Sequence, residues 1–294
     1  MKRLLFIYNP KAGRSGIVSE LSDVIDIFTK AGYEVTVHPT QCRGDGQKIA
    51  CERAESFDRI ACSGGDGTLD EIVSGVMQSG VNIPIGYIPT GSTNDFSRSV
   101  GIPRNAHEAA SIAVGDHIFK CDLGKFNEDY FVYVAAFGLF TDVTYETDQN
   151  LKKVFGYAAY LAEAVKSLQT IKPIPLTITY DETVLQGDFL VGMISNSTSV
   201  GGMKLLPGPG VDLQDGLFEV LLIKRPDSIM EFNSIPLAML DRSIHSDCVI
   251  SIKCSKINIE SDEPFPWTLD GEFGGNVRSV EISNLRNAME IVVP

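Results

Sequence analysis

The chain has no stretch near the ~18–20 consecutive apolar residues that a membrane-crossing helix needs, so no transmembrane span is expected. The N-terminus, Met1-Lys2-Arg3 followed by an apolar run, starts like a secretory leader. That run stops after five residues, at Asn9-Pro10, and a first β-strand is the better reading. Positive charge is also scarce. Lys and Arg number 25 against 38 Asp and Glu, for a formal net charge of −13. This argues against nucleic acid as a bulk partner, because phosphate binding is driven by Lys and Arg. It equally argues against broad adsorption to anionic lipid, so any membrane contact has to be local and peripheral. The six cysteines (Cys42, Cys51, Cys62, Cys121, Cys248, Cys254) form no CxxC pair, and His38, His107, His117 and His245 show no ligand spacing. Reduced structural thiols in a cytoplasmic protein follow. There is no internal repeat and no low-complexity segment.

What is present is ordinary globular material: 294 residues, 44% of them apolar, enough for two domain cores. Residues 2–8 form a nearly continuous apolar strand, as expected for a parallel sheet buried on both faces. Residues 17–31 place Leu21, Val24, Ile25 and Phe28 on one helical face, with Gly32 as C-cap. A strand at 33–38, a helix at 47–57, a strand at 59–62, a helix through Leu69, Ile72, Val73, Val76 and Met77, and a strand at 84–88 complete a β-α alternation. That pattern predicts a doubly wound α/β fold. Near Phe119 the alternation stops. Residues 131–137 read as a strand and 140–170 as helical, with a packing stripe of Tyr157, Tyr160, Leu161, Ala164 and Leu168. Short strands follow at 176–180, 187–194, 217–223, 249–252, 256–259, 277–282 and 289–293, as in an antiparallel β-sandwich. The expected division is an α/β domain of residues 1–122, to which 284–294 is a candidate to return, and a β-rich domain of 123–283.

The chain is organised around Ser63-Gly64-Gly65-Asp66-Gly67-Thr68. Strand, glycine turn and helix start together build a phosphate site: glycines let the backbone approach, and the helix N-terminus offers free N–H groups. Asp66 would repel phosphates unless a cation lay between them, which suggests Mg²⁺ and a nucleoside triphosphate. A plain Gly-Asp-Gly turn is the alternative. A second loop, Pro89-Thr90-Gly91-Ser92-Thr93-Asn94-Asp95-Phe96, also follows a strand, so both loops face one crevice outside the strands' carboxyl ends. In the second domain, Asp215-Gly216 is either a hard-cation site or a hairpin turn. Thr268-Leu269-Asp270-Gly271-Glu272 reads as an exposed turn that means nothing alone.

Taken in order, Asn9-Pro10-x-Ala12-Gly13, Ser63 to Thr68, Gly91-x-x-Asn94-Asp95-Phe96, Gly201-Gly202, Asp215-Gly216 and Leu269-Asp270-Gly271-Glu272 resemble the soluble bacterial diacylglycerol kinase and YegS-like lipid kinases, relatives of sphingosine and ceramide kinases. The resemblance spans nearly the full chain. It implies an active site in a cleft between a nucleotide-binding domain and a lipid domain, with ATP as donor, Mg²⁺, and a lipid hydroxyl as acceptor. It places ATP phosphates on Gly64, Gly65, Asp66, Gly67, Thr68, Leu69 and Asp70, with Asn9, Thr40, Gly91, Ser92 and Asn94 also at the nucleotide. It puts a structural Mg²⁺ on the Asp212 and Leu217 carbonyls and the Asp215 carboxylate. Glu272 falls on the family's general base.

The chemistry accords with those roles. Phosphoryl transfer needs positioned phosphates, neutralised charge and a base for the attacking hydroxyl. Asp66, Asp95 and Asp122 are expected to cluster around catalytic Mg²⁺, partly through water. Lys11 and Arg14 are expected to neutralise phosphate oxygens. Closure of the cleft would bring Glu272 to the site. Diacylglycerol is the expected acceptor, and a homodimer the expected oligomer. Two rivals remain: a NAD kinase, which shares the Gly-Gly-Asp-Gly turn and for which Asn127-Glu128 is a weak pointer, and a non-catalytic lipid or nucleotide sensor.

Overall fold

A computed structural model describes residues 1–13, 16–138, 168, 171–201, 210–240 and 246–294. Arg14 and most of the expected helical segment 140–170 lie outside the described residues. So do Gly202 and His245.

The first part follows the apolar pattern. Strands β1 (Lys2–Tyr8), β2 (Tyr33–Pro39), β3 (Arg59–Gly64) and β4 (Ile85–Pro89) are parallel, in the order β2-β1-β3-β4. Every residue of β3 and β4 is buried, while β2 at the edge is mostly half-exposed. Helices α1 (Gly16–Lys30), α2 (Asp45–Arg53) and α3 (Asp66–Ser79) connect them. Helix α1 buries Val24 and Phe28, and Phe28 meets Phe6 edge-on at 5.3 Å. Strand order reverses between β1 and β3, so the ligand crevice of such a sheet opens outside their carboxyl ends. Two short helices follow β4, α4 (Asp95–Ser99) and α5 (Ala106–Ala113). The pattern reading missed α5, whose Asn105 cap accepts the Glu108 N–H at 3.0 Å. Its alanines let the helix pack so close that a Cβ on Gly86 would lie 2.5 Å from Ala113.

The rest is antiparallel: β5 (Ile118–Phe126), β6 (Asp129–Phe131), β7 (Val134–Phe137), β8 (Ile174–Tyr180), β9 (Thr183–Ser195), β10 (Phe218–Lys224), β11 (Val249–Cys254), β12 (Lys256–Leu269) and β13 (Glu272–Val292). Among the described residues a helix, α6 (Ile229–Leu240), interrupts them and was not expected. The described strands form one sheet, through β11-β10-β9-β7-β12-β13-β4-β3-β1-β2. Strand β13 joins its two parts. It pairs with β12 and β5 along most of its length, and Ile291 sits beside Ile85 of β4.

Three differences from the sequence pattern have local causes. The strands expected at 277–282 and 289–293 are one strand of 21 residues, whose register slips between Leu285 and Met289, where Asn287 takes φ 54°. Strand β12 runs on past Ile259 to Leu269 through a register shift between Glu260 and Phe265, beside Pro264 and Pro266, residues that normally interrupt a strand. The single strand expected at 131–137 is two, because the N–H groups of Val132, Tyr133 and Val134 turn towards the Asp270 carboxylate.

The antiparallel part has its own core. Trp267 is fully buried and lies against Phe126, Phe137 and Phe265, with ring centres 5.0–5.6 Å apart.

Candidate active site

The loops after β1, β3 and β4 are laced together at the carboxyl ends of the parallel strands. The Asn9 N–H donates to Ser63 O at 2.9 Å, and Thr90 N–H to Gly64 O at 2.8 Å. The Thr40 N–H, after β2, donates to Tyr8 O at 2.9 Å, which sets Thr40 on the same edge. The Asn9 side chain turns back on its own loop and accepts the Lys11 N–H.

Close approach requires the glycines. A Cβ on Gly91 would lie 2.5 Å from Gly65 Cα, and one on Gly13 would lie 2.3 Å from Thr90 O, where φ is also +64°. A Cβ on Gly64 would strike the Thr68 side chain. Thr68 therefore packs inward, and Leu69 is wholly buried in the core. Within the expected phosphate loop, Leu69 can offer a ligand only its backbone. Ser92 is exposed on its loop, which Arg104 pins by donating to the Ser92 and Thr93 carbonyls at 2.8 and 2.7 Å.

Asp66 ties two of these loops. Its carboxylate accepts the N–H of Asp95 at 3.1 Å and of Phe96 at 3.3 Å. Burial pushes its pKa up to about 6, against the pull of those N–H donors. A cation beside Asp66 would offset that burial cost. Asn94, in the left-handed region at φ 52°, donates to Gly91 O, while its buried Oδ1 has no protein partner. Glycines with no room for a Cβ, a desolvated carboxylate and an unpaired amide oxygen on one crevice fit a metal-bound polyphosphate.

Two expected metal groups are arranged differently. Asp95 is buried, and its Oδ1 accepts the Ser199 hydroxyl at 2.6 Å. Asp122 does not join Asp66 and Asp95. Its two oxygens accept the N–H groups of Gly216 (2.6 Å) and Asn287 (2.8 Å), so it latches the 212–217 loop to β13. Among the described residues no three His, Cys, Asp or Glu side chains converge on one point. Sequence spacing carried no information about this, because the donors to Asp122 come from 94 and 165 residues along the chain.

In the 212–217 loop, Asp212 accepts the Gln214 N–H and Asp215 the Leu217 N–H. Lys253 Nζ stands 2.8 Å from Glu219, 3.8 Å from Asp215, and 3.0 Å from Gly210 O. Lys253 thus supplies positive charge beside this loop.

Glu272 begins β13 and reaches across to the first half. A Cβ on Gly67 would lie 3.5 Å from Glu272 Cγ and Oε1. Arg43, after β2, is 3.8 Å from the Glu272 carboxylate and donates to Phe273 O. Arg43 was not singled out in the sequence, since no local pattern shows that its loop faces β13. Of the turn expected to be exposed, Gly271 and Glu272 are exposed, but Asp270 is only 4% accessible.

The chain therefore sets a glycine-lined polyphosphate crevice against a carboxylate from a separate β-rich region. Comparison with known proteins agrees. The model of the diacylglycerol kinase catalytic domain matches residues 3–126, and that of the YegS C-terminal NAD kinase beta sandwich-like domain matches 134–293. The chain is 33% identical to a diacylglycerol kinase of Bacillus subtilis (strain 168), covering all of this chain and 97% of that protein. It is 34% identical to one of Staphylococcus aureus (strain MRSA252), covering 100% and 93%. A crystal structure of a proposed diacylglycerol kinase from Bacillus anthracis str. Sterne aligns with a TM-score of 0.81 at 26% identity, covering 100% of this chain and 95% of that one. Fold and matches together define an ATP-using phosphotransferase with an alcohol group as acceptor. The chain belongs to the diacylglycerol kinase family of lipid kinases.

Proposed function

We propose that this enzyme transfers the γ-phosphoryl group of ATP to the primary hydroxyl of diacylglycerol, giving phosphatidic acid. The observation that carries this reading is Glu272 standing over Gly67, at the start of the helix that would receive the phosphates. Glu272 takes the proton of the attacking hydroxyl. The Gly64–Gly65 and Gly91 backbones let the phosphates approach, and the α3 N-terminus favours their charge. Asp66 would hold Mg²⁺, and Asp95, whose N–H the Asp66 carboxylate accepts, is near enough in space to contribute through water. When bound, Mg²⁺ neutralises phosphate charge. Lys11, exposed on the first loop, can reach phosphate oxygens.

No described helix is long and apolar enough to cross a membrane. We infer that the enzyme works in the cytoplasm and meets its lipid by peripheral contact, as a homodimer.

The test is ATP-dependent phosphate transfer to lipids in mixed micelles, with NAD as a competing acceptor. Labelled diacylglycerol, lost in both Asp66→Ala and Glu272→Gln, is the expected result. Phosphorylation of NAD, with no lipid product, would overturn it.

A further inference from the structure

Arg43 reaches across the cleft from the loop after β2. Its Nη1 stands 3.8 Å from Glu272 Oε2, and its Nη2 donates to Phe273 O at 3.4 Å. One guanidinium thus meets two consecutive residues at the start of β13, the first by its side chain and the second by its backbone. A planar fork suits such a pair of acceptors, where the point charge of an ammonium would serve one. Arg43 and Glu272 are both more than half exposed, and an ion pair so placed adds little to stability. What the contact can set is direction: it fixes where the Glu272 carboxylate stands.

Arg43 is itself aimed from behind. Glu71, on α3, grips the residues that follow it: Oε1 accepts the Gly44 N–H at 2.7 Å and Oε2 the Gly46 N–H at 3.1 Å. These N–H groups lie at the start of α2, where no intrahelical acceptor exists and a carboxylate is favoured. The residues on either side of Arg43 are tied as well. The Gln41 N–H donates to Asp45 Oδ2 at 2.8 Å, and the Asp45 N–H to Cys42 O at 3.3 Å. Asp70, one residue before Glu71, keeps its Oδ1 closed off from solvent, and the grip on the loop falls to Glu71.

The contacts close a ring. Helix α3 carries Gly67 at its start and Glu71 one turn on. Glu71 holds the loop, the loop presents Arg43, and Arg43 meets Glu272, which lies over Gly67. We propose that Arg43 is a positioning residue: its guanidinium, braced by Glu71 on α3, holds the start of β13 so that the Glu272 carboxylate stays over the phosphate end of α3. The proposal rests on the reading of Glu272 as general base. A base left free to move spends less of its time within reach of the acceptor hydroxyl, so the loss falls on turnover and not on nucleotide binding.

The test compares wild type with Arg43→Ala, Arg43→Lys, Glu272→Gln and the double variant Arg43→Ala/Glu272→Gln. It measures kcat with diacylglycerol, KM for ATP, Tm, and amide hydrogen exchange over residues 271–275. Arg43→Ala is expected to lower kcat about tenfold, with KM for ATP within about twofold and Tm within about 2 °C of wild type. Arg43→Lys keeps the charge without the fork and should recover only part of that loss. In the Glu272→Gln background, removing Arg43 should cost nothing further, because the group it holds is gone. Residues 271–275 should exchange faster in Arg43→Ala than in wild type. The proposal is overturned by a loss that persists undiminished without the Glu272 carboxylate, by a raised KM for ATP with kcat unchanged, or by exchange as slow as wild type. Exchange needs no acceptor, so it judges the hold of Arg43 on β13 apart from the chemistry. Near-normal turnover by Glu272→Gln would instead sink the reading of Glu272 as base.

Discussion

The parallel and antiparallel parts of this molecule bring their functional groups to the cleft by different means. In the parallel part, each ligand loop follows its own strand directly, and the order β2-β1-β3-β4 puts every loop on one edge. In the antiparallel part, Glu272 is held by a hairpin turn whose aspartate is anchored to N–H groups 136–138 residues earlier in the chain. The first arrangement is local and repeated. The second depends on long-range pairing, and a small displacement there costs the base its place. The binding half should therefore tolerate change far from its glycines, while the base should be sensitive to the antiparallel core beneath it.

Glu272→Gln offers the sharpest test of that contrast. Its kcat should fall by about 10²–10⁴-fold, up to about 5 kcal/mol in the barrier, with ATP affinity retained. Near-normal turnover would mean that the antiparallel part supplies no base. Next comes Trp267→Ala, which empties the centre of the aromatic cluster. About 3–5 kcal/mol of stability should be lost in a denaturant titration. Where the variant remains folded, turnover should fall more than ATP binding; an equal loss of both would erase the distinction between the parts.

Gly91→Ala attacks the other side. Its Cβ meets the Gly65 backbone as well as the Asn94 side chain, so the loops must part at a cost of about 1–3 kcal/mol. Calorimetry should show that cost mainly in ATP affinity, and unchanged affinity would argue that the Gly65–Gly91 approach is not the phosphate cradle. The smallest effect is expected at the polar seam between the parts. The Ser99 hydroxyl lies 2.9 Å from the Ser197 hydroxyl and accepts the Thr198 N–H at 3.2 Å. Ser99→Ala should cost about 1 kcal/mol of stability. A much larger loss would show that the two parts are held together there and not mainly through β13.

Legibility followed the same division. The parallel strands and their helices could be read because burial on both faces and helical periodicity are properties of neighbouring residues. The glycine loops could be read because a glycine between strand and helix has few other uses. In the antiparallel part the strands were visible but their lengths were not. Prolines at 264 and 266, and the slip near Asn287, look like ends when the partner strand is unseen.

Residue order thus settled the fold class, the edge of the sheet that carries the ligand loops, and the resemblance that pointed to Glu272. These rest on local pattern and motif. Tertiary structure alone decided which carboxylates do what. Asp122 became a latch, Asp95 a partner of Ser199, and Asp270 a buried anchor for three backbone N–H groups. A carboxylate's role depends on the donors that surround it and on how far it is removed from water, and both are set by residues distant in the chain.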